Sequence, residues 1–321
     1  MYASENYRKV KEKIEALRAR AVSDANLRNE EVRSKSDAIR AIDDKLAATG
    51  PELFRAACCG IDIAPIKEKN LALQALRREE LKRLGYPEDY TEPKYTCPLC
   101  RDTGSVDMKL CSCFKKMLIT ENIKTSGIGT LIEKQSFENF DVERYKNDPE
   151  LYEHMKRNVA KAKKFAESFG KPYGNLLLMG KTGVGKTHIS TAVAKTVIES
   201  GYNVIYDSAQ NIVSDFEQDR FKSGYGQYDP KAEKYMECDL LIIDDLGTEF
   251  VNQFTISCLY NLINTRQNRA LPTVVSTNLT TEELISKYEG RISSRLLGAG
   301  VTVLMFDGDD YRIYSQRRAK R

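Results

Sequence analysis

Residues 180–187 read Gly-Lys-Thr-Gly-Val-Gly-Lys-Thr, which fits the pattern G-x-x-x-x-G-K-[ST] at every fixed position. Each residue type there answers a chemical need. Glycine lets consecutive backbone N–H groups turn inward on phosphate oxygens, at the positive end of a helix. Gly180, Lys181, Thr182, Gly183, Val184 and Gly185 would then form a phosphate cradle, with His188 beside it. Lys186 would reach the β- and γ-phosphates, and the Thr187 hydroxyl would hold Mg²⁺. The bland alternative is a glycine-rich turn that merely ends a strand. A second set of residues argues against it: Cys238-Asp-Leu-Leu-Ile-Ile-Asp-Asp245, an apolar run closed by two carboxylates. Carboxylates at the C-terminal end of a buried parallel strand fall where open α/β sheets place their ligands. Asp244 reads as the Mg²⁺-site carboxylate and Asp245 as the group that orients or deprotonates a water.

These groups need a scaffold, and the flanking sequence supplies one. Asn175–Met179 reads as a strand into the glycine loop, and the residues from Thr187 to Lys195 as a helix out of it. Further strands are expected at 202–206, 238–245, 271–276 and 301–306, with helices at 149–169, from Ser208 to about Phe221, and at 252–269. Strands alternating with helices predict an α/β fold: a mostly parallel five-stranded sheet between helices. Residues 222–230, rich in Gly and Tyr, read as a loop.

The first half of the chain is different in kind. Residues 5–47 look helical and highly charged, with Val10, Ile14, Leu17 and Ala21, then Ile39, Ile42 and Leu46, in a narrow apolar stripe that breaks between Ala25 and Ser36. Such a stripe suits a coiled-coil seam, a partner-docking face or a helix packed on its own domain. Gly50-Pro51 is expected to end this segment. A second helix is expected from Pro65 to Leu84, with Gly85 just past its end.

Cys97-Pro-Leu-Cys100 and Cys111-Ser-Cys113 follow. A Cys-x-x-Cys knuckle aims two thiolates at one point, and a second pair ten residues on completes four sulfurs. Four thiolates suit tetrahedral Zn²⁺ in a closed structural site; free buried thiols or a redox pair are the alternatives. Cys58-Cys59 could compete as ligands, although their helical setting favours burial, and Cys238 and Cys258 read as core. The linker 115–148 carries Ser136-Phe-Glu-Asn-Phe140, whose two aromatics are expected to dock on the next domain. The organisation expected is therefore 1–114 helical and zinc-binding, 115–148 linker, and 149–321 nucleotide-binding.

Bulk composition excludes little. Lys and Arg number 50 and Asp and Glu 46, a net +4, too balanced to argue nucleic-acid binding from overall charge. Nothing resembles a signal peptide or a membrane span, so a cytoplasmic protein with no membrane partner is expected. In that compartment eight cysteines point to metal or burial, not disulfides.

With these motifs in place, residues 150–315 resemble the AAA+ ATPases, through Gly180–Thr187, Leu240–Asp245, Ser276-Thr-Asn278 and Gly290-Arg-Ile-Ser-Ser-Arg295-Leu. Within them the chain is similar to the bacterial replicative helicase loaders of the DnaC/DnaI type, through Tyr311-Arg312, the four-cysteine module and Ser136–Phe140. The resemblance implies Asn278 as the sensor-1 polar residue, Arg295 as an arginine finger acting across a subunit boundary with Arg291 as its rival, and Arg312 at a sensor-2-like position. Asp244-Asp245 departs from the commoner Asp-Glu of AAA+ proteins but fits the initiator and loader branch. Residues 208–235 fall where that branch inserts a helix along DNA. There Phe216, Arg220, Phe221, Lys222, Tyr225 and Tyr228 interleave aromatic and basic groups, which suits single-stranded DNA.

The function implied is ATP hydrolysis coupled to loading a replicative DNA helicase onto single-stranded DNA, with ATP, Mg²⁺ and Zn²⁺ as cofactors and self-association through the ATPase domain. An IstB-like transposition helper ATPase and an ATP-switched adaptor with little turnover are the alternatives.

Overall fold

The structure, a computed structural model, describes residues 5–170, 174–222 and 231–310. The chain divides into two compact units: residues 9–114, and the described residues of 1–8 and 115–321.

In the first unit, α1 (Glu5–Lys35) runs without interruption through the region where the apolar stripe breaks. Val10, Ile14, Ala21, Ala25 and Val32 are buried within the chain, so the stripe is covered by this protein itself. Ser36 separates α1 from α2 (Asp37–Cys58), its side chain accepting from the Ile39 N–H, a standard N-terminal cap. Gly50-Pro51 does not end the segment as the sequence suggests: Pro51 lies inside α2. Proline forfeits one helical hydrogen bond, and α2 tolerates this because it pairs along its length with α3 (Ala64–Arg83), where Asn70 donates to Thr49 at 2.6 Å. Cys58 and Cys59 close α2 and are exposed, not buried. Val32, Ile39 and Leu81 form a small core beneath Tyr86 and Tyr90. The polar connector after α3 is pinned by Glu31, which accepts from Tyr86 and Tyr90 at 2.9 Å each. Strands β1 (Ser105–Val106) and β2 (Lys109–Leu110) form a hairpin whose turn residues Asp107 and Met108 both have positive φ.

α4 (Ser112–Thr125) begins at the end of the first unit and runs into the second, where α5 (Leu131–Lys134) and α6 (Pro149–Glu167) follow, the last capped by Asp148 with Pro149 in its first turn. There follow β3 (Asn175–Met179), α7 (Lys186–Glu199), β4 (Val204–Ser208), α8 (Ala209–Lys222), α9 (Glu233–Glu237), β5 (Leu240–Leu246), α10 (Gln253–Asn268), β6 (Thr273–Thr277), α11 (Thr281–Leu297) and β7 (Val301–Met305). Among the described residues these strands form one five-stranded sheet, all parallel, in the order β4-β5-β6-β3-β7. This is the α/β core expected of an AAA+ ATPase.

Side-chain alternation along each strand sorts the core into two layers. Leu176, Leu178, Ile242, Val274 and Leu304 pack with α6 and α7 residues such as Met155, Ile189 and Val193. Leu177, Met179, Leu241, Ile243 and Val275 pack on the other face with Ile212, Leu259, Leu262 and Ile292. Both faces are therefore covered, which is why the strands read as continuous apolar runs. Helix α5 and the loop after it are part of this packing: Ile132 and Phe140 are buried in the first layer, with Phe137 against it.

Arg266 in α10 is fully buried. Its guanidinium donates to the carbonyls of Tyr235, Cys238 and Pro272 at 2.9, 2.9 and 2.7 Å and to Thr273 Oγ1 at 3.0 Å. It thereby fastens α9 and the entries to β5 and β6. Arg266→Met keeps the stem but strands several buried acceptors, each costing about 1–3 kcal/mol. The expected loss is roughly 3 kcal/mol or more, read as a Tm lower by about 6–12 °C. A melting curve matching the parent protein refutes this role.

Candidate functional site

Four sulfurs converge in the first unit. Cys97, Cys100, Cys111 and Cys113 Sγ all lie within 4.8 Å of one another. Cys97 and Cys111 are 3.8 Å apart and Cys100 and Cys113 3.4 Å. A tetrahedral ion with metal–sulfur bonds of about 2.3 Å separates its ligands by about 3.8 Å, so the cluster fits such an ion. The knuckle is preorganised: the buried Asp102 carboxylate accepts from the Thr96 and Cys97 N–H groups at 2.8 Å each. The β1–β2 hairpin carries the chain back so that the Cys111 N–H bonds the Gly104 carbonyl at 2.9 Å. Gly104 has positive φ, and a side chain there would meet the Phe114 ring. Burial opposes ionisation of Cys100 and Cys113. The Gly104 backbone and the neighbouring thiols nevertheless draw Cys100 down to about 7, while burial and the other sulfurs push Cys113 up.

The second site lies at the C-terminal ends of β3, β5 and β6. Gly180, Gly183 and Gly185 all have positive φ. A Cβ on Gly180 would collide with the Phe306 carbonyl, and one on Gly185 would strike the Phe140 ring. The loop therefore needs glycine for both conformation and space. It opens on a cleft of about 430 Å³ lined by Thr182, Gly183, Gly185, Lys186, Thr187, His188, Asp245 and Asn278, with Lys134, Gln135, Asn139, Phe140, Asp141 and Arg144 opposite. Lys186 Nζ is held by the Gly180 and Lys181 carbonyls at 2.7 Å each and by Asn278 Oδ1 at 2.5 Å. His188 bonds the Ser136 carbonyl and Asn139 Oδ1, both at 2.9 Å, and meets Phe140 edge-on. Burial lowers its pKa, favouring the neutral ring.

Asp244 is buried behind the cleft. Its Oδ2 accepts from Tyr206 Oη at 2.7 Å and lies 3.4 Å from Thr187 Oγ1; its Oδ1 accepts from Ser276 Oγ. Hydroxyl and carboxylate oxygens are the donors that Mg²⁺ favours, so Thr187 and Asp244 fit that ion. Asp245 lines the cleft itself. Between Ile243 and Leu246 the β5–β6 register advances three residues on β5 but two on β6, a bulge holding Asp244 and Asp245. Asp245 has φ 52°, and its N–H is fixed by Ser276 Oγ at 2.9 Å. The bulge thus lets both carboxylates serve the same edge of the sheet, Asp244 against Thr187 and Asp245 at the cleft.

The structure brings together the loop residues 180–188, Asp244, Asp245 and Asn278. It places Arg295 elsewhere, against α10: its guanidinium bonds Asn264 Oδ1 at 2.7 Å and lies over the Tyr260 ring at 4.5 Å. Arg291, one turn earlier, is exposed. Arg312 lies outside the described residues. Sequence reasoning missed Tyr206, Ser190 and Arg144, the last of which donates to the Val184 carbonyl at 2.8 Å. Strand register brings Tyr206 and loop packing Arg144 to the site, while Ser190 stands one helical turn beyond Thr187 on α7; no motif marks them. In the region expected to meet DNA, Phe216 packs on the core, Arg220 lies over Phe254 at 5.2 Å, and Phe221 is exposed. The Lys222 side chain, Tyr225 and Tyr228 lie outside what is described.

Protein purified without added metal is expected to carry about one tetrahedrally bound zinc per chain by elemental analysis. Cys100→Ser should release it and unfold the first unit locally, because such ions supply folding energy. A metal-free first unit with native amide protection contradicts this. Gly185→Ala should abolish nucleotide binding in a fluorescence titration while the far-ultraviolet spectrum stays native; unchanged affinity contradicts the cradle.

The sequence has known relatives. The profile of the family described as IstB-like ATP binding protein matches residues 128–319. The replicative helicase loader DnaC of Escherichia coli (strain K12) is 24% identical over 198 residues, 62% of this chain and 77% of that protein. The chromosomal replication initiator protein DnaA of Campylobacter jejuni subsp. jejuni serotype O:23/36 (strain 81-176) is 40% identical over 88 residues, 27% of this chain and 19% of that one. A crystal structure of the DnaC helicase loader superposes with TM-score 0.43 at 19% identity, covering 48% of this chain and 90% of that one. The profile spans the glycine loop, the acidic bulge and Asn278, and the chain belongs to the IstB-like ATP binding protein family, built on an AAA+ ATPase core.

Proposed function

We propose that this protein is an ATP-dependent loader of the replicative DNA helicase onto single-stranded DNA. The observation that carries the nucleotide chemistry is the cleft itself, where Lys186, Thr187, Asp245 and Asn278 converge in front of Asp244. Lys186 exchanges its carbonyl partners for phosphate oxygens, a charge-assisted bond that offsets their loss. Thr187 and Asp244 would hold Mg²⁺, which would supply positive charge to offset that of the phosphates. Asp245, fixed at the mouth of the bulge, orients or deprotonates the attacking water, and Asn278 helps place it.

The loading role is supported by the similarity to DnaC over most of that protein's length and by the cysteine unit, which precedes the family-matched segment. That unit, with zinc on its four sulfurs, and the α1–α3 helices are the natural grip for a protein partner. The family description itself favours a second reading, an IstB-like transposition helper with the same core. Co-purification with the replicative helicase separates the two, because a transposition helper has no need to hold it. Stimulation of turnover by single-stranded DNA tests the rest; an absence of both effects overturns the loader reading.

Lys186→Ala should bind nucleotide at least about tenfold more weakly and hydrolyse it negligibly, since the ammonium is the loop's principal charge on the phosphates. Turnover near the parent rate rejects the site. Arg295 and Arg291 are the two arginines proposed to act on a neighbouring copy's nucleotide. Loss of such a group costs about 10³–10⁵ in rate in other nucleotide hydrolases. Arg295→Ala should bind ATP normally and hydrolyse it poorly, and mixing it with Lys186→Ala protein should restore turnover. A defect in Arg291→Ala alone moves the role one turn upstream. Normal turnover in both variants removes the trans arrangement.

A further inference from the structure

We infer that Tyr206 is a positioning residue for the Mg²⁺-site carboxylate: its hydroxyl fixes the rotation of Asp244 so that one oxygen lobe faces Thr187. This rests on the reading of Asp244 and Thr187 as the ion's protein ligands. An aspartate carboxyl turns easily, because its terminal torsion is broad and roughly two-fold. Left to itself, it would present either oxygen, or neither, to the Thr187 hydroxyl. Two bonds remove that freedom. Ser276 donates to Oδ1 from β6, and Tyr206 donates to Oδ2 at 2.7 Å from β4. Each carboxylate oxygen offers about two acceptor lobes. With Tyr206 on one lobe of Oδ2, the other is the one 3.4 Å from Thr187 Oγ1.

Tyr206 is itself held from several directions. It is buried, at 7% exposure, and its hydroxyl lies 3.1 Å from Ser190 Oγ, one turn beyond Thr187 on α7. Its N–H donates to the Ser126 carbonyl at 2.6 Å. Gly127 packs so closely over the Tyr206 carbonyl that a side chain there would overlap it. The ring does not line the phosphate cleft, so its contribution passes through Asp244 and not through contact with nucleotide. A phenylalanine would fill the same space in the core without a buried hydroxyl to satisfy. The hydroxyl has its partner in the one carboxylate that the metal reading requires.

Tyr206→Phe removes the hydroxyl, and with it the bonds to Asp244 and Ser190, and keeps the ring. Binding of a fluorescent ADP analogue is measured first in EDTA and then across a Mg²⁺ titration, with Asp244→Asn alongside. Tyr206→Phe should bind the analogue like the parent in EDTA and need about 10- to 100-fold more Mg²⁺ for half of the Mg²⁺-dependent gain, the usual cost of losing a partner that orients a metal ligand. A half-saturating Mg²⁺ equal to the parent's, with the gain lost in Asp244→Asn, overturns the positioning role while leaving the metal site standing. If Asp244→Asn keeps the gain, the metal reading fails, and the inference about Tyr206 falls with it. Should Tyr206→Phe melt far below the parent, Ser190→Ala takes its place. That change frees the hydroxyl from α7 and should raise the Mg²⁺ requirement in the same direction; an unchanged requirement overturns the inference.

Discussion

A buried carboxylate is costly unless every oxygen finds a donor, and the core of this protein is arranged around one. Asp244 on β5 receives bonds from β4 through Tyr206 and from β6 through Ser276, and it approaches the glycine-loop helix through Thr187. Four elements that are distant in sequence thus share one charged group. The hydrogen bonds make the charge tolerable, and the charge in turn fixes the relative positions of three strands and α7. Remove the carboxylate, and the strands still pair through their backbones. What disappears is the reason for their ends to meet at this one point.

The second consequence follows from the β-bulge. In an unbroken strand, neighbouring residues face opposite sides of the sheet, so Asp244 and Asp245 could not both serve the C-terminal edge in a controlled way. The bulge inserts one residue on β5, turns Asp245 into the left-handed region and fixes its N–H on Ser276. Ser276 therefore touches both halves of the acidic pair. Strain of this kind persists only where the surroundings over-determine it, and here both neighbouring strands do so.

The residues that lead into the sheet of the second unit are more than a tether. β4 is an edge strand, and an open edge exposes unpaired backbone groups. The Ser126 carbonyl takes up the Tyr206 N–H, and Asn122 donates to the Tyr202 carbonyl at 2.9 Å. Further along, Phe140 lies over Gly185, and Asn139 holds His188. The segment expected to be a linker with some structure thus closes one sheet edge and supplies a wall of the nucleotide cleft.

The sequence by itself determined the local chemistry: Gly180–Thr187 as a glycine loop between strand and helix, Asp244-Asp245 at the end of an apolar strand, and four cysteines in two close pairs. These were legible because each signal is short-range, set by residue type and spacing within a few positions. The continuous apolar strands likewise announced a sheet covered on both faces. The reach of α2 was not legible, because pairing with α3 outweighed the usual reading of Gly50-Pro51. The exposure of Cys58 and Cys59 was decided by which side of the α2 end faces out, which propensity does not encode. Tyr206 and Arg144 carry no motif, and they join the site only through the parallel register of β4 on β5 and the packing of residues 126–145 on the core; Ser190, one turn beyond Thr187 on α7, gains its part only because Tyr206 reaches it. Tertiary structure alone decided which way each aspartate of the pair faces, because a single extra residue in a strand reverses the direction of everything after it.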